Sequence, residues 1–344
     1  MADRRAVLGR PLRANVVSWE SGGLGVDIDI LTAALQRAGC TVAFKERSRR
    51  RSVGRVPRLI ETAGALVRRA AARAGVVPYD VNFFIESVFP DHLPAARQHC
   101  LFVNPEWFRD GNLPHLPRLR YLLCKSADGV EAMRALGVPC RNVGFSSPDR
   151  RLATPRDRAL RCLHIAGQSG VKGSEAVVDV WARHPEWPHL TVVRRHTGYG
   201  GRPVAPLRPL ANVDYMTDRV AGDTLLALQN RCAVHVQPSL AEGYGHVIGE
   251  AMSCGAVVVT TDAAPMNHLV GADRGLLVAV ARVEAQHRSC LHYVDLDDLE
   301  RVIAGVFAMS AAQRDAIGAA ARRWYEAQDQ RFDAAIRALV AELA

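Results

Sequence analysis

Residues 232–261 limit the fold more tightly than any other part of the chain. Ala233-Val234-His235-Val236-Gln237 has the pattern of a buried strand, closed by Pro238-Ser239. Glu242-Gly243-Tyr244-Gly245-His246 then turns the chain on two glycines, and Val247 to Met252 predicts a helix of apolar and small residues. Gly255 ends that helix and Ala256 to Thr261 reads as a second strand. Strand, glycine turn, helix and strand form a βαβ unit whose helix N-terminus suits phosphate. Two carboxylates, Glu242 and Glu250, flank the turn, which points to a ligand carrying hydroxyls as well as phosphates. A nucleotide sugar fits that description.

The same rhythm recurs along the chain. Ala14 to Trp19 reads as a strand and Glu20 to Gly25 as a glycine turn, followed by an amphipathic helix from Asp27 to Ala38. Thr41–Phe44, Val81–Ile85, Cys100–Val103 and Tyr121–Cys124 are further strands, and Ser126 is placed to cap a helix ending near Gly137. Turn formers at 144–149 interrupt the pattern. It restarts with a strand at Arg161–Ile165, a turn at Gly167–Gly173 and a helix at Ser174–Trp181. Strands at Leu190–Val193, Val213–Tyr215, Val234–Gln237, Val257–Thr260 and Leu276–Val278 follow, with a helix at Asp223–Asn230, and the last 50 residues or so read as helical. Such alternation implies parallel sheets covered on both faces. A chain of 344 residues is long enough for two cores, giving an α/β protein of two Rossmann-like domains, 1–147 and 148–324.

Charge is local. The chain carries a formal +9, yet ten Lys and Arg face only two acids between Lys45 and Arg73. That segment suits an anionic acceptor, a membrane face or nucleic acid, or else it is a solvated surface. It holds no aromatic residue on which bases would stack. No apolar run reaches the ~18 residues of a membrane span, and the first residues lack the apolar core of a signal peptide. The eight cysteines are scattered without a Cys-x-x-Cys pair, as expected for buried free thiols in a cytoplasmic protein.

With both glycine turns placed, the stretches Pro238 to His246 and Gly249 to Val258 resemble the donor-site signature of retaining glycosyltransferase family 4. Gly167–Gly173 looks like that family's second donor motif and Ser21–Asp27 like its N-terminal glycine loop. The resemblance implies the GT-B fold, two Rossmann-like domains facing each other across a donor/acceptor cleft, with a C-terminal helix, about 325–344, packing back on the first. It implies a UDP- or GDP-sugar as co-substrate, no other cofactor and no metal. It gives Glu250 to the ribose diol and Glu242 to the transferred sugar. Gly243, Tyr244, Gly245 and His246 line the diphosphate, with Gln168, Ser169 and Lys172 opposite. Gly22 and Gly23 are expected at the donor phosphates or the acceptor, and His92 on the acceptor side, with Glu86 and Glu106 on the same edge. Asp27 reads as a helix N-terminal acid. The family usually has an arginine near 168 or 169, where this chain has Gln168 and Ser169. Arg194, Arg195 and His196 are the nearest replacements, each equally suited to an ordinary charged loop.

Three readings follow. The first is retaining transfer of a sugar to an acceptor hydroxyl, and the second is the same transfer onto a nucleic acid or modified base. The third is a nucleotide-sugar-binding protein without turnover. A nicotinamide dehydrogenase is disfavoured, because the first glycine turn lacks Gly-x-Gly-x-x-Gly spacing.

Overall fold

The computed structural model describes residues 10–20, 22–48, 64, 66–68, 70–153, 159–198 and 203–344. It divides into two compact units, Met1–Phe145 with Asp329–Ala344, and Ser146–Gln328.

The first unit is built on a six-stranded parallel sheet. Its strands are β1 (Arg13–Glu20), β2 (Thr41–Ser48), β3 (Tyr79–Ile85), β4 (Ala96–Phe102), β5 (Tyr121–Cys124) and β6 (Cys140–Asn142), in the order β2-β1-β3-β4-β5-β6. The chain leaves β1 toward β2 and then crosses to β3 on the other side. A topological switch therefore lies between β1 and β3, where open α/β sheets bind ligands. Val17, Phe84, Leu101 and Leu122 form the core of one face. The turn expected at Glu20–Gly25 is different in the structure: a helix begins at Gly22 and runs to Arg37, so Gly22, Gly23 and Gly25 occupy its first turns. Glycine permits left-handed turns without requiring them, and a short strand-to-helix connection prevails here. Ser126 caps the helix Ala127–Met133 by accepting from the Gly129 amide.

The second unit has strands β7 (Ala159–Gly167), β8 (Leu190–Arg194), β9 (Val213–Met216), β10 (Cys232–Gln237), β11 (Val257–Thr261) and β12 (Leu276–Val278). They lie in the order β12-β11-β10-β7-β8-β9, the Rossmann arrangement with its switch between β7 and β10. Helices Ser174–Arg183 and Leu296–Ala308 bury Val177, Trp181, Leu299 and Ile303 against one face. The sequence reading omits β6 and a hairpin formed by β13 (Val280–Gln286) and β14 (Ser289–Val294). A 33-residue helix, Ala311–Leu343, joins the two units: its residues to Gln328 belong to the second and those from Asp329 to the first. In the first unit Phe332 packs on Phe145 at 4.9 Å, and Asp333 accepts two bonds from Arg37 at 2.7 and 2.8 Å.

Two buried histidines make stability depend on pH. In the first unit Asn82 donates to the His92 carbonyl at 2.8 Å and contacts His99 Nδ1 at 3.2 Å. In the second, His164 Nδ1 meets the Val236 carbonyl and Nε2 meets Ser174 Oγ, both at 2.8 Å. Burial lowers each imidazole to about 4, helped by the Arg118 charge at His99 and by Lys172 and Arg194 at His164. Unfolded histidine titrates near 6.5, so the unfolded chain binds more protons between those values. The stabilisation is complete above about pH 6.5 and lost as pH falls toward 4. Denaturant unfolding is expected to show each unit losing on the order of 2–3 kcal/mol between pH 7 and 4.5 from its histidine. A His99→Gln variant should show a shallower loss in the first unit.

Candidate active site

The two loops singled out in sequence leave adjacent parallel strands. β7 ends at Gly167 and β10 at Gln237, and β10 pairs with β7, so 167–173 and 238–245 flank the switch of the second sheet. They are joined by backbone, since the Leu240 amide donates to the Val171 carbonyl at 2.9 Å. Gly173 has φ 73°, and a β-carbon there would lie 2.2 Å from the Pro238 carbonyl oxygen. The loops touch where only glycine fits. Gly245 starts the helix His246–Ser253 at φ 103°, and a β-carbon would approach Leu269 to 2.9 Å.

Lys172 and Glu242, given separate roles by the sequence, form one ion pair. The ammonium binds Glu242 Oε1, which also accepts from Ser239 Oγ at 2.6 Å. A cation and a hydroxyl thus fix a carboxylate at the mouth of the switch, beside the N-terminus of the helix starting at His246. His246 Nδ1 lies 3.2 Å from Ser147 Oγ, and the buried Tyr244 ring meets the imidazole edge-on at 5.7 Å. Glu250, one turn into the same helix, is 6% exposed. Its Oε2 accepts from Gln229 at 2.6 Å, and its Oε1 lies 3.5 Å from Arg150.

The other residues are placed as follows. Ser169 is buried and its Oγ accepts weakly from the Val171 amide at 3.4 Å, while Gln168 donates to the Thr197 carbonyl at 3.3 Å. Arg194 ends β8 beside Gly167, but its guanidinium is held by Glu175 at 2.7 Å and the Ala205 carbonyl at 3.3 Å. In this structure it is directed to Glu175 of the helix Ser174–Arg183. Gly22 and Gly23 lie in the first unit. His92 is buried in the 3-10 turn Pro90–Ala95, and Glu106 in the turn Pro105–Trp107. Asp27 is no simple helix-terminal acid, because it makes a buried ion pair with Lys125 at 2.7 Å. The reading of 45–73 as a basic binding segment falls largely outside the described residues.

Three features escaped sequence reasoning. Gln229 and Arg150 belong to no motif and reach Glu250 only through the fold. Glu86 takes φ 65° at the end of β3, beside the switch of the first sheet. A left-handed glutamate stores backbone strain of the kind concentrated at functional sites, and no residue pattern announces it. The third is the hairpin: the His292 amide donates to the Leu240 carbonyl at 2.8 Å, tying β14 to the Glu242 loop.

The fold and these loops first define a class. A sucrose-phosphate synthase from Thermosynechococcus elongatus superposes with a TM-score of 0.69 at 16% identity, covering 96% of this chain and 99% of that one. An E. coli trehalose-6-phosphate protein bound with UDP-2-fluoro glucose gives 0.65 at 13%, covering 96% and 98%. The pneumococcal O-GlcNAc transferase GtfA, in complex with UDP and GlcNAc, gives 0.59 at 11%; there the match covers 82% of this chain but 60% of the other. The chain has the GT-B fold of these glycosyltransferases. More particularly, residues 163–295 match the family described as Glycosyl transferases group 1. A comparison with curated protein sequences finds no match.

Proposed function

We propose that this chain is a retaining glycosyltransferase that moves a sugar from a nucleotide diphosphate to an acceptor hydroxyl. The observation that carries the reading is the Lys172–Glu242 pair at the β7/β10 switch, next to the helix that presents Glu250. The UDP-2-fluoro glucose of the E. coli structure and the UDP of the pneumococcal one support a UDP-sugar, with a GDP-sugar as the other candidate.

In this reading Glu250 accepts the ribose hydroxyls, and the His246 helix amides and Lys172 take the diphosphate. Lys172 turns from Glu242 to the phosphate as the donor enters, freeing Glu242 for sugar hydroxyls. The bond from anomeric carbon to diphosphate breaks as the acceptor oxygen bonds the same face, and a diphosphate oxygen takes the acceptor's proton. The protein holds positions and stabilises the leaving group, so no strong base and no metal is required. Glu86 and His92 are the acceptor-side candidates in the first unit. The basic segment 45–73 suits an anionic acceptor, a membrane surface or nucleic acid. Among the described residues no helix is long and apolar enough to cross a membrane.

The test is release of UDP or GDP from the corresponding sugars, with the product anomer read by proton NMR. Retention is expected, and inversion would sink the mechanism. Binding without turnover across an acceptor panel would favour the non-catalytic reading instead. Glu250→Ala is expected to weaken donor binding by about 10- to 100-fold, the worth of hydrogen bonds to a charged group, with a smaller change in kcat. An unchanged KM would remove the ribose assignment.

A further inference from the structure

Gln229 closes the helix Gly222–Arg231 and is fully buried. Among the described residues its side chain makes one hydrogen bond, from Nε2 to Glu250 Oε2 at 2.6 Å. Its Oε1 is buried with no partner among the described residues. Burying an unmet carbonyl is unfavourable, and an apolar side chain of the same size would avoid it. The amide therefore has one polar task here, to donate to Glu250.

That bond differs from the one on the other oxygen. Arg150 reaches Oε1 at 3.5 Å from a partly exposed side chain, a long and solvent-screened contact. A diol arriving at Glu250 meets one oxygen locked by a short internal bond and another held loosely from outside. A carboxylate that enters the complex already oriented loses little freedom on binding, the general advantage of a supported first contact.

We propose that Gln229 is the positioning residue that orients Glu250 for the donor's ribose, and that Arg150 is the contact the ribose displaces. The proposal rests on the reading of Glu250 as a ribose ligand. Gln229 touches no substrate and acts through Glu250 alone. It favours nucleotides with both ribose hydroxyls over those without them.

The test compares UDP and GDP with their 2′,3′-dideoxy counterparts by calorimetric titration. Wild type is expected to prefer the ribose forms by tenfold or more. Gln229→Met, close in volume and without a donor, is expected to lose most of that preference while binding the dideoxy forms as wild type does. Gln229→Glu sets a second carboxylate against Glu250 and is expected to lose it entirely. Arg150→Ala should keep the preference and bind the ribose forms as tightly as wild type or tighter. A purely structural role for Gln229 would weaken all four nucleotides alike, and that result overturns the proposal. So does a Gln229→Met protein with wild-type preference, or an Arg150→Ala protein that loses it. If wild type binds UDP or GDP without regard to the ribose hydroxyls, or binds neither, the failure belongs to the donor-site reading itself. Thermal unfolding of each ligand-free variant establishes that it is folded, and Gln229→Met serves if Gln229→Glu is not.

Discussion

Lys172→Met is expected to lower kcat by about 10²- to 10³-fold, the usual effect of removing one preorganised group that stabilises developing negative charge. Lys172 is the only lysine or arginine in the loops 167–173 and 238–246. Gln168 and Ser169 bring no charge, and Arg194 is engaged by Glu175. No second cation of the loops shares the departing diphosphate, so the loss should sit at the upper end of that range. Donor binding should suffer less than turnover, because charge on the bridging oxygen grows as the glycosidic bond breaks. Methionine keeps most of the side chain's length, and Glu242 keeps its bond from Ser239, so the fold should survive. Steady-state rates at saturating donor check this. A kcat within about threefold of wild type, beside an unchanged melting temperature, would take Lys172 out of the chemistry.

Gly173→Ala should be nearly as damaging by a different route. The added methyl would start 2.2 Å from the Pro238 carbonyl oxygen, and the backbone at φ 73° is one that alanine avoids. The left-handed conformation costs about 1–2 kcal/mol, and overpacking against fixed backbone adds about 1–3 kcal/mol. Relief requires the loops to part, which moves Lys172 away from Glu242. An ångström of misplacement at a reacting centre is enough for a loss of about 10²-fold. Lower melting temperature and loss of turnover should therefore appear together. Gly170→Ala is the control, since a β-carbon there meets nothing within 4 Å, and its stability should match wild type. Equal stability of the two variants would contradict the close contact between the loops.

Much of the second unit was legible in its residues. Val257–Thr261 and Cys232–Gln237 are short runs rich in valine, bounded by turn formers, so their strands were found to within a residue or two. The hairpin Val280–Val294 was not, because its exposed strand carries alternating polar residues that a solvated loop also carries. Gly22 and Gly23 show the limit of composition: glycine marks permission, and the fold decided for a helix. The loops were readable because glycine spacing and chemistry coincide at Gly167–Gly173 and Glu242–His246. Their direct contact was not, because 70 residues separate Lys172 from Glu242. Gln229 lies 21 residues from Glu250 in another helix, and only strand order brings such positions together. Asp27 was misjudged for the same reason, since its partner Lys125 follows a strand far along the chain.

The central claim is that the β7/β10 switch of the second unit holds a nucleotide sugar through Glu250 and Lys172. Calorimetric titration of the whole protein with UDP- and GDP-sugars, alongside Glu250→Ala, tests it most directly. The account predicts saturable one-to-one binding of at least one of them to wild type, weakened about 10-fold or more in the variant. It is contradicted if none binds at millimolar concentration, or if Glu250→Ala binds the same ligand as tightly as wild type.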